Sequence, residues 1–174
     1  MELALPSAEY KDSYIAAVKE FKNDPHHTAR GKKYLEASID DLKNNFAGHV
    51  EKILATSRGE GLPDGYVPQT EYWLVDGGEY IGCVSIRHYL TPQLMEIGGH
   101  IGYDIRPSKR GKGYGTQLLQ LALSKAGDLG VDKLLITCDE TNIASRKIIE
   151  GAGGVLEDIR DTKEGKKRRY WVEL

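Results

Sequence analysis

Three glycines alternate with other residues in RGKGYG, Arg110–Gly115, where a strand-like stretch, IGYDIRP, meets an amphipathic one, TQLLQLALSKA. Glycine loses more conformational freedom on folding than any other residue, so three of them before a helix need a physical reason. The first amides of a helix have no internal partner, and the helix dipole adds partial positive charge there. Glycine permits left-handed dihedrals and lets a ligand approach the backbone, so the segment has the chemistry of an anion site, most often for phosphate. Arg110 and Lys112 add positive charge. The P-loop order, GxxxxGK followed by Ser or Thr, fails because Lys112 precedes the last two glycines. The dinucleotide fingerprint GxGxxG fails as well, because the spacing here is GxGxG and lies deep in the chain. A glycine-rich turn that merely joins strand to helix is the plainer alternative.

A second place for chemistry is LMEIGGHIGYDI, read as one strand. Alternation puts Glu96 and His100 on one face, where either serves as a general base, unless Gly98-Gly99 forms a bulge and changes the parity. Histidine titrates near neutral pH, as a base should. The plainer alternative has His100 bonded within the sheet and Glu96 facing solvent. His26-His27 has no third ligand spaced with it, so it reads as a solvated loop and no metal is expected. KKRRYW (166–171) faces an acidic substrate or RNA, or is a solvated edge strand; the net charge of −2 and the lack of interleaved aromatics argue against nucleic acid. Tyr66, Tyr72 and Trp73 line an acceptor pocket or pack in the core. Cys138 follows an apolar run and reads as buried and inert.

These residues need elements to hold them. Tyr10, Tyr14, Ala17, Val18 and Phe21 form a helical stripe with Ser7 as N-cap and Pro25 as stop. A second stripe runs Leu35, Ile39, Leu42, Phe46, Val50, Ile53, Leu54, with Gly48 as a point where it splits. Residues 58–70 are a loop. The period then changes to two: EYWLVDGGEYIGCVSIRHYL predicts two strands around Asp76-Gly77-Gly78, and LMEIGGHIGYDIRP a third, ended by Pro107. A helix over 114–129 with Gly130 as C-cap, a strand over 133–138, a helix over 143–151 and a final hairpin complete the order. This predicts one α/β domain, 1–174, with a mixed sheet.

The chain has 174 residues, 40% of them hydrophobic, and only two cysteines, Cys83 and Cys138, which suits reduced thiols. No apolar run approaches the ~20 residues of a membrane span. The start, MELALPSAEYKD, lacks the basic and apolar regions of a signal peptide. A cytoplasmic location without membrane association is expected.

The stretch IGYDIRPSKRGKGYGTQLLQLAL, followed by LLITCDETNIASRKIIEGAGG, resembles the GNAT N-acetyltransferase superfamily over residues 70–174, most of all its predicted acetyltransferases whose strand carries GGHIGY. The resemblance implies a mixed, mostly antiparallel sheet with splayed central strands flanked by helices. It implies acetyl-CoA as co-substrate, its pyrophosphate held by Gly111, Lys112, Gly113, Tyr114, Gly115 and Thr116, with Arg110 opening the motif. Tyr103, Asp104 and Ile105 would pair with the pantetheine arm through their backbone; Asn142 and Ser145 open the next helix beside it. Residues 1–65 would form the acceptor side and 70–174 the cofactor core. The acceptor would be a small-molecule or peptide amine, and the protein a monomer or homodimer. Many members place a tyrosine seven residues after the asparagine; here that position is Ile149. Its absence makes a non-catalytic acyl-CoA sensor the alternative.

Overall fold

The computed structural model describes residues 1–26, 31–163 and 165–174, so His27 lies outside the described residues. The elements are β1 (Glu2–Ala4), α1 (Lys11–Lys22), α2 (Lys32–Glu36), α3 (Ile39–Asn44), α4 (Phe46–Ala55), β2 (Gln69–Asp76), β3 (Glu79–Arg87), α5 (Pro92–Glu96), β4 (Ile101–Ile105), α6 (Tyr114–Asp128), β5 (Lys133–Asp139), α7 (Ile143–Gly151), β6 (Val155–Thr162) and β7 (Gly165–Glu173). The seven strands form one sheet in the order β1-β2-β3-β4-β5-β7-β6. Every neighbouring pair is antiparallel except β4 and β5.

Alternation along the strands divides the core in two. One face presents Ile81, Val84, Ile86, Ile101, Leu134 and Ile136 to Leu118, Leu119 and Ala122 of α6 and Ile149 of α7. The other presents Trp73, Val75, Tyr80 and Cys83 to the amphipathic stripe of α1 and to Tyr34, Leu42, Phe46 and Val50. The stripe predicted from Tyr10, Tyr14, Ala17, Val18 and Phe21 is buried as a whole.

Four expectations are corrected. The strand read through LMEIGGHIGYDI begins only at Ile101. Thr91 Oγ1 accepts the Leu94 N–H and Pro92 occupies the first helical turn, so Leu94–Glu96 wind into α5. Glu96 and His100 therefore do not share a strand face. Gly48 does not divide the second stripe; the breaks fall at Ser38 and Asn45, whose side chains cap the amides of Asp41 and Gly48. Ser7 caps the short 3-10 turn ahead of α1, not α1 itself. Finally, KKRRYW is not an edge strand. β7 lies between β5 and β6, with Lys167 bonded to Asp139 and Arg169 to Glu157 and Asp158. Those partners lie on other strands, out of reach of any local pattern.

The parallel joint of β4 and β5 is brief. Ile101 and Ile136 are its one registered pair, preceded by an isolated bridge from Gly99 to Ile136. Gly99 sits at φ +63°, and a Cβ there would lie 2.3 Å from the Leu135 carbonyl oxygen, so only glycine allows this approach. Gly99→Ala is expected to cost about 2 kcal/mol or more in urea unfolding, because left-handed strain and a backbone clash act together.

Candidate functional site

Beyond Ile101 the two central strands part. Arg87 N–H donates to the His100 carbonyl at 2.8 Å and Arg106 N–H to the Ile81 carbonyl at 2.9 Å, which sets the alternation of the β3–β4 ladder. Residues 102 and 104 thus give their backbone groups to β3, while Tyr103 and Ile105 turn theirs toward β5. Asp104, expected to offer its backbone with these two, faces Cys83 in register instead. Its buried side chain points to the α1–α4 face.

The segment after β4 is a 3-10 turn, Pro107–Lys109, then Arg110, then Gly111 at φ +73° and Gly113 at φ +83°. Gly113 is the N-cap of α6 and gives it no side-chain cap. Among the described residues, no protein acceptor takes the amide hydrogens of Gly111, Lys112, Gly113, Tyr114, Gly115 or Thr116; the first backbone bond is Gln117 N–H to the Gly113 carbonyl at 3.2 Å. A Cβ built on Gly111 or Gly113 meets no atom within 4 Å, so the backbone is open to approach. Six such donors at a positive helix end have the chemistry of an anion site.

The cations around it do different things. Arg106 bonds Glu20 at 2.7 Å and Glu79 at 3.0 Å, and Lys109 bonds Glu79 at 2.6 Å. Arg110, expected to face the anion, bonds Asp24 at 2.5 Å and the Ile105 carbonyl at 3.1 Å, and lies over the Phe21 ring. Lys112 donates to the Ser108 carbonyl at 2.9 Å, with no carboxylate in ion-pair range among the described residues, so its charge is the one left for a ligand. Burial alone would raise Glu20 and Asp24. The Arg106 and Ser108 bonds to Glu20, and the His26 N–H and Arg110 bonds to Asp24, outweigh it and hold both carboxyls below their usual range. Glu20, Asp24 and Glu79 escaped sequence reading; the run of cations R-P-S-K-R was the one hint that carboxylates were needed.

Across the gap, the Asn142 side-chain Oδ1 caps α7 by accepting the Ser145 N–H at 3.0 Å. Ser145 Oγ lies 2.7 Å from the Tyr103 hydroxyl. Burial pushes the Tyr103 phenol up to about 12, so it stays protonated. Ile149, where a tyrosine was sought, is fully buried in the core.

His100 grips Leu135 twice: its N–H donates to the Leu135 carbonyl at 2.7 Å, and its Nδ1 accepts the Leu135 N–H at 2.9 Å. Nδ1 is therefore the unprotonated nitrogen and Nε2 carries the hydrogen. Burial, then the Arg87 charge, lowers its pKa. Glu96 stands in solvent on α5, paired with Arg160. On the sheet face opposite α6, a groove of about 1030 Å³ is lined by Tyr66, Val67, Arg87, Leu94, Ile97 and Thr162, among others. Tyr66 is exposed there, while Trp73 is core and Tyr72 packs against the α6 side. Among the described residues, no group of three His, Cys, Asp or Glu side chains is placed to hold a metal, and no helix is long and apolar enough to cross a membrane.

The acetyltransferase (GNAT) domain model matches residues 7–155. The chain belongs to the GNAT acetyltransferase family. It is an acyltransferase with acetyl-CoA as its co-substrate, and the open amides at Gly111–Thr116 fit that cofactor's phosphates. Solved GNAT structures share its fold. RimL, a ribosomal L7/L12 α-N-protein acetyltransferase in complex with coenzyme A, has a TM-score of 0.72 at 18% identity, over 99% of this chain and 93% of that one. The microcin C7 self-immunity acetyltransferase MccE, in complex with acetyl-CoA and AMP, has 0.71 at 18%, over 99% and 91%. RimJ of Mycobacterium smegmatis, in complex with a CoA-disulfide, has 0.70 at 13%, over 98% and 80%. No curated protein matches the chain by sequence.

The histidine clip carries a pH signature. His100 has a lowered pKa when folded, so the unfolded chain takes up the proton first as pH falls. Its stabilisation is whole above about pH 6.5 and is lost below that, toward the folded value. His100→Gln is expected to flatten the fall of Tm between about pH 6.5 and 5, leaving the part due to His49 and His88, which burial also holds low.

Proposed function

We propose that this protein moves the acetyl group of acetyl-CoA to a primary amine by direct attack. The observation that carries the reading is the row of six amides from Gly111 to Thr116 without a protein acceptor among the described residues, set beside a strand whose Tyr103 and Ile105 backbone groups have no strand opposite them among those residues. The amides and Lys112 bind the pyrophosphate. The Tyr103 and Ile105 backbone pairs with the pantetheine arm like one more strand, and an N–H there polarises the thioester carbonyl. Asn142 and Ser145 orient the arm from the start of α7.

The acceptor, a small molecule or a peptide, enters through the groove on the opposite sheet face. Its nitrogen forms the new bond to the acyl carbon, the carbon–sulfur bond breaks, the nitrogen loses a proton and the thiolate gains one. Tyr103, protonated and bonded to Ser145, donates to that thiolate in place of the tyrosine replaced by Ile149. His100 and Glu96 are the base candidates, and each first has to release a partner, Leu135 N–H or Arg160. Water in the groove therefore takes the amine proton, and positioning supplies most of the rate, several kcal/mol by analogy with intramolecular reactions.

CoA-thiol release from acetyl-CoA, measured across amines and peptides, tests the activity; release tied to one acceptor class establishes it and names the acceptor. Gly113→Val, forced to a left-handed dihedral, is expected to abolish acetyl-CoA binding in calorimetry with the fold retained. Unchanged affinity would reject the phosphate assignment. Tyr103→Phe should lower kcat by about 10² with little change in KM for acetyl-CoA. The acidic limb of the pH–rate profile should survive in His100→Gln; its loss would make His100 the base.

A further inference from the structure

The carboxylates at the end of α1 belong to neither side of the proposed reaction, yet they hold the loop that binds the cofactor. Glu20 Oε1 accepts from Arg106 at 2.8 Å and Glu20 Oε2 accepts the Ser108 N–H at 3.1 Å. Asp24 Oδ1 accepts the His26 N–H at 3.0 Å, which fixes its rotamer, and Asp24 Oδ2 accepts from Arg110 at 2.5 Å. The Asp24 side chain is 7% exposed. Arg110 is engaged on each side: Asp24 at Nη1, the Ile105 carbonyl at Nε, and the Phe21 ring against its face. Turning it toward a phosphate would strand a buried carboxylate, which is costly in a protein interior.

We infer that Asp24 and Glu20 are positioning residues for the cofactor loop, and that Arg110 acts through Asp24 instead of touching phosphate. This rests on reading Gly111–Thr116 as the phosphate site. The two carboxylates pin residues 106, 108 and 110 from the α1 layer, and so fix where the amides that follow begin. Lys112, free of carboxylates among the described residues, is then the loop's direct phosphate cation. The α1 layer, which also backs the acceptor face, thereby sets the affinity for acetyl-CoA.

The test is a double-mutant cycle on the acetyl-CoA dissociation constant, with Asp24→Asn, Arg110→Gln and the pair, each compared with Glu20→Gln. Each single change should weaken binding about tenfold, and the pair no more than the weaker single, because one contact is lost in all three. S-acetylpantetheine, which lacks the phosphates, supplies the second readout: its kcat/KM should match wild type in every variant. An equal fall for both donors would mean general structural damage and would overturn the proposal. So would unchanged or tighter acetyl-CoA binding in Asp24→Asn beside weaker binding in Arg110→Gln, since Arg110 would then be a phosphate ligand that Asp24 holds back. If Asp24→Asn does not fold, Glu20→Gln and Arg110→Gln carry the same two-donor comparison. Failure of the underlying reading looks different: wild type would not bind acetyl-CoA, or Gly113→Val would leave binding unchanged.

Discussion

The separation of β4 from β5 is the constraint on which the site depends. Two hydrogen bonds between His100 and Leu135, one donated by each, close the joint, and Gly99 lets the chains come near enough to make them. Past Ile101 the ladder stops, so the backbone groups of Tyr103 and Ile105 have no strand to meet among the described residues. An open ladder in the middle of a sheet is costly unless something else satisfies those groups. The same opening joins the two faces of the sheet: the helix-start amides lie on one and the groove on the other. Under the proposed function, a cofactor arm and an acceptor approaching from opposite sides meet at that opening.

The layers that flank this opening are held in different ways. The α6–α7 side is apolar, with Leu118, Leu119, Ala122 and Ile149 fully buried against the sheet. The α1–α4 side buries polar groups. Glu71 accepts from Lys33 at 3.0 Å, Trp73 at 3.0 Å and Ser85 at 3.1 Å, and Tyr34 and Tyr80 meet at 3.0 Å. Buried polar groups are tolerable only when bonded, so such a network sets geometry more strictly than apolar contact does.

Local chemistry was legible in the sequence and distant partnership was not. RGKGYG could be read because helix-start amides and left-handed glycines act within a few residues. The stripe of Tyr14, Ala17, Val18 and Phe21 could be read because its period is its cause. LMEIGGHIGYDI misled because Thr91-Pro92 starts a helical turn just upstream, which alternation inside the stretch does not reveal. Arg110 and Asp24 stand 86 positions apart, so nothing near either residue announces the other. Lys167 and Arg169 looked solvated for the same reason: the carboxylates that neutralise them sit on neighbouring strands. The catalytic proton path was the least legible part, since it depends on which hydrogen bonds His100 and Tyr103 already make.

Both thiols of the protein are sealed. Cys83 is fully buried, Cys138 is nearly so, and burial pushes the Cys138 thiol up to about 11. Burial keeps both from a colorimetric disulfide reagent while the protein is folded. Sulfhydryl colour that grows in a reaction mixture of the folded protein therefore comes from the product and not from the catalyst, and the baseline needs no correction for the protein's own sulfur.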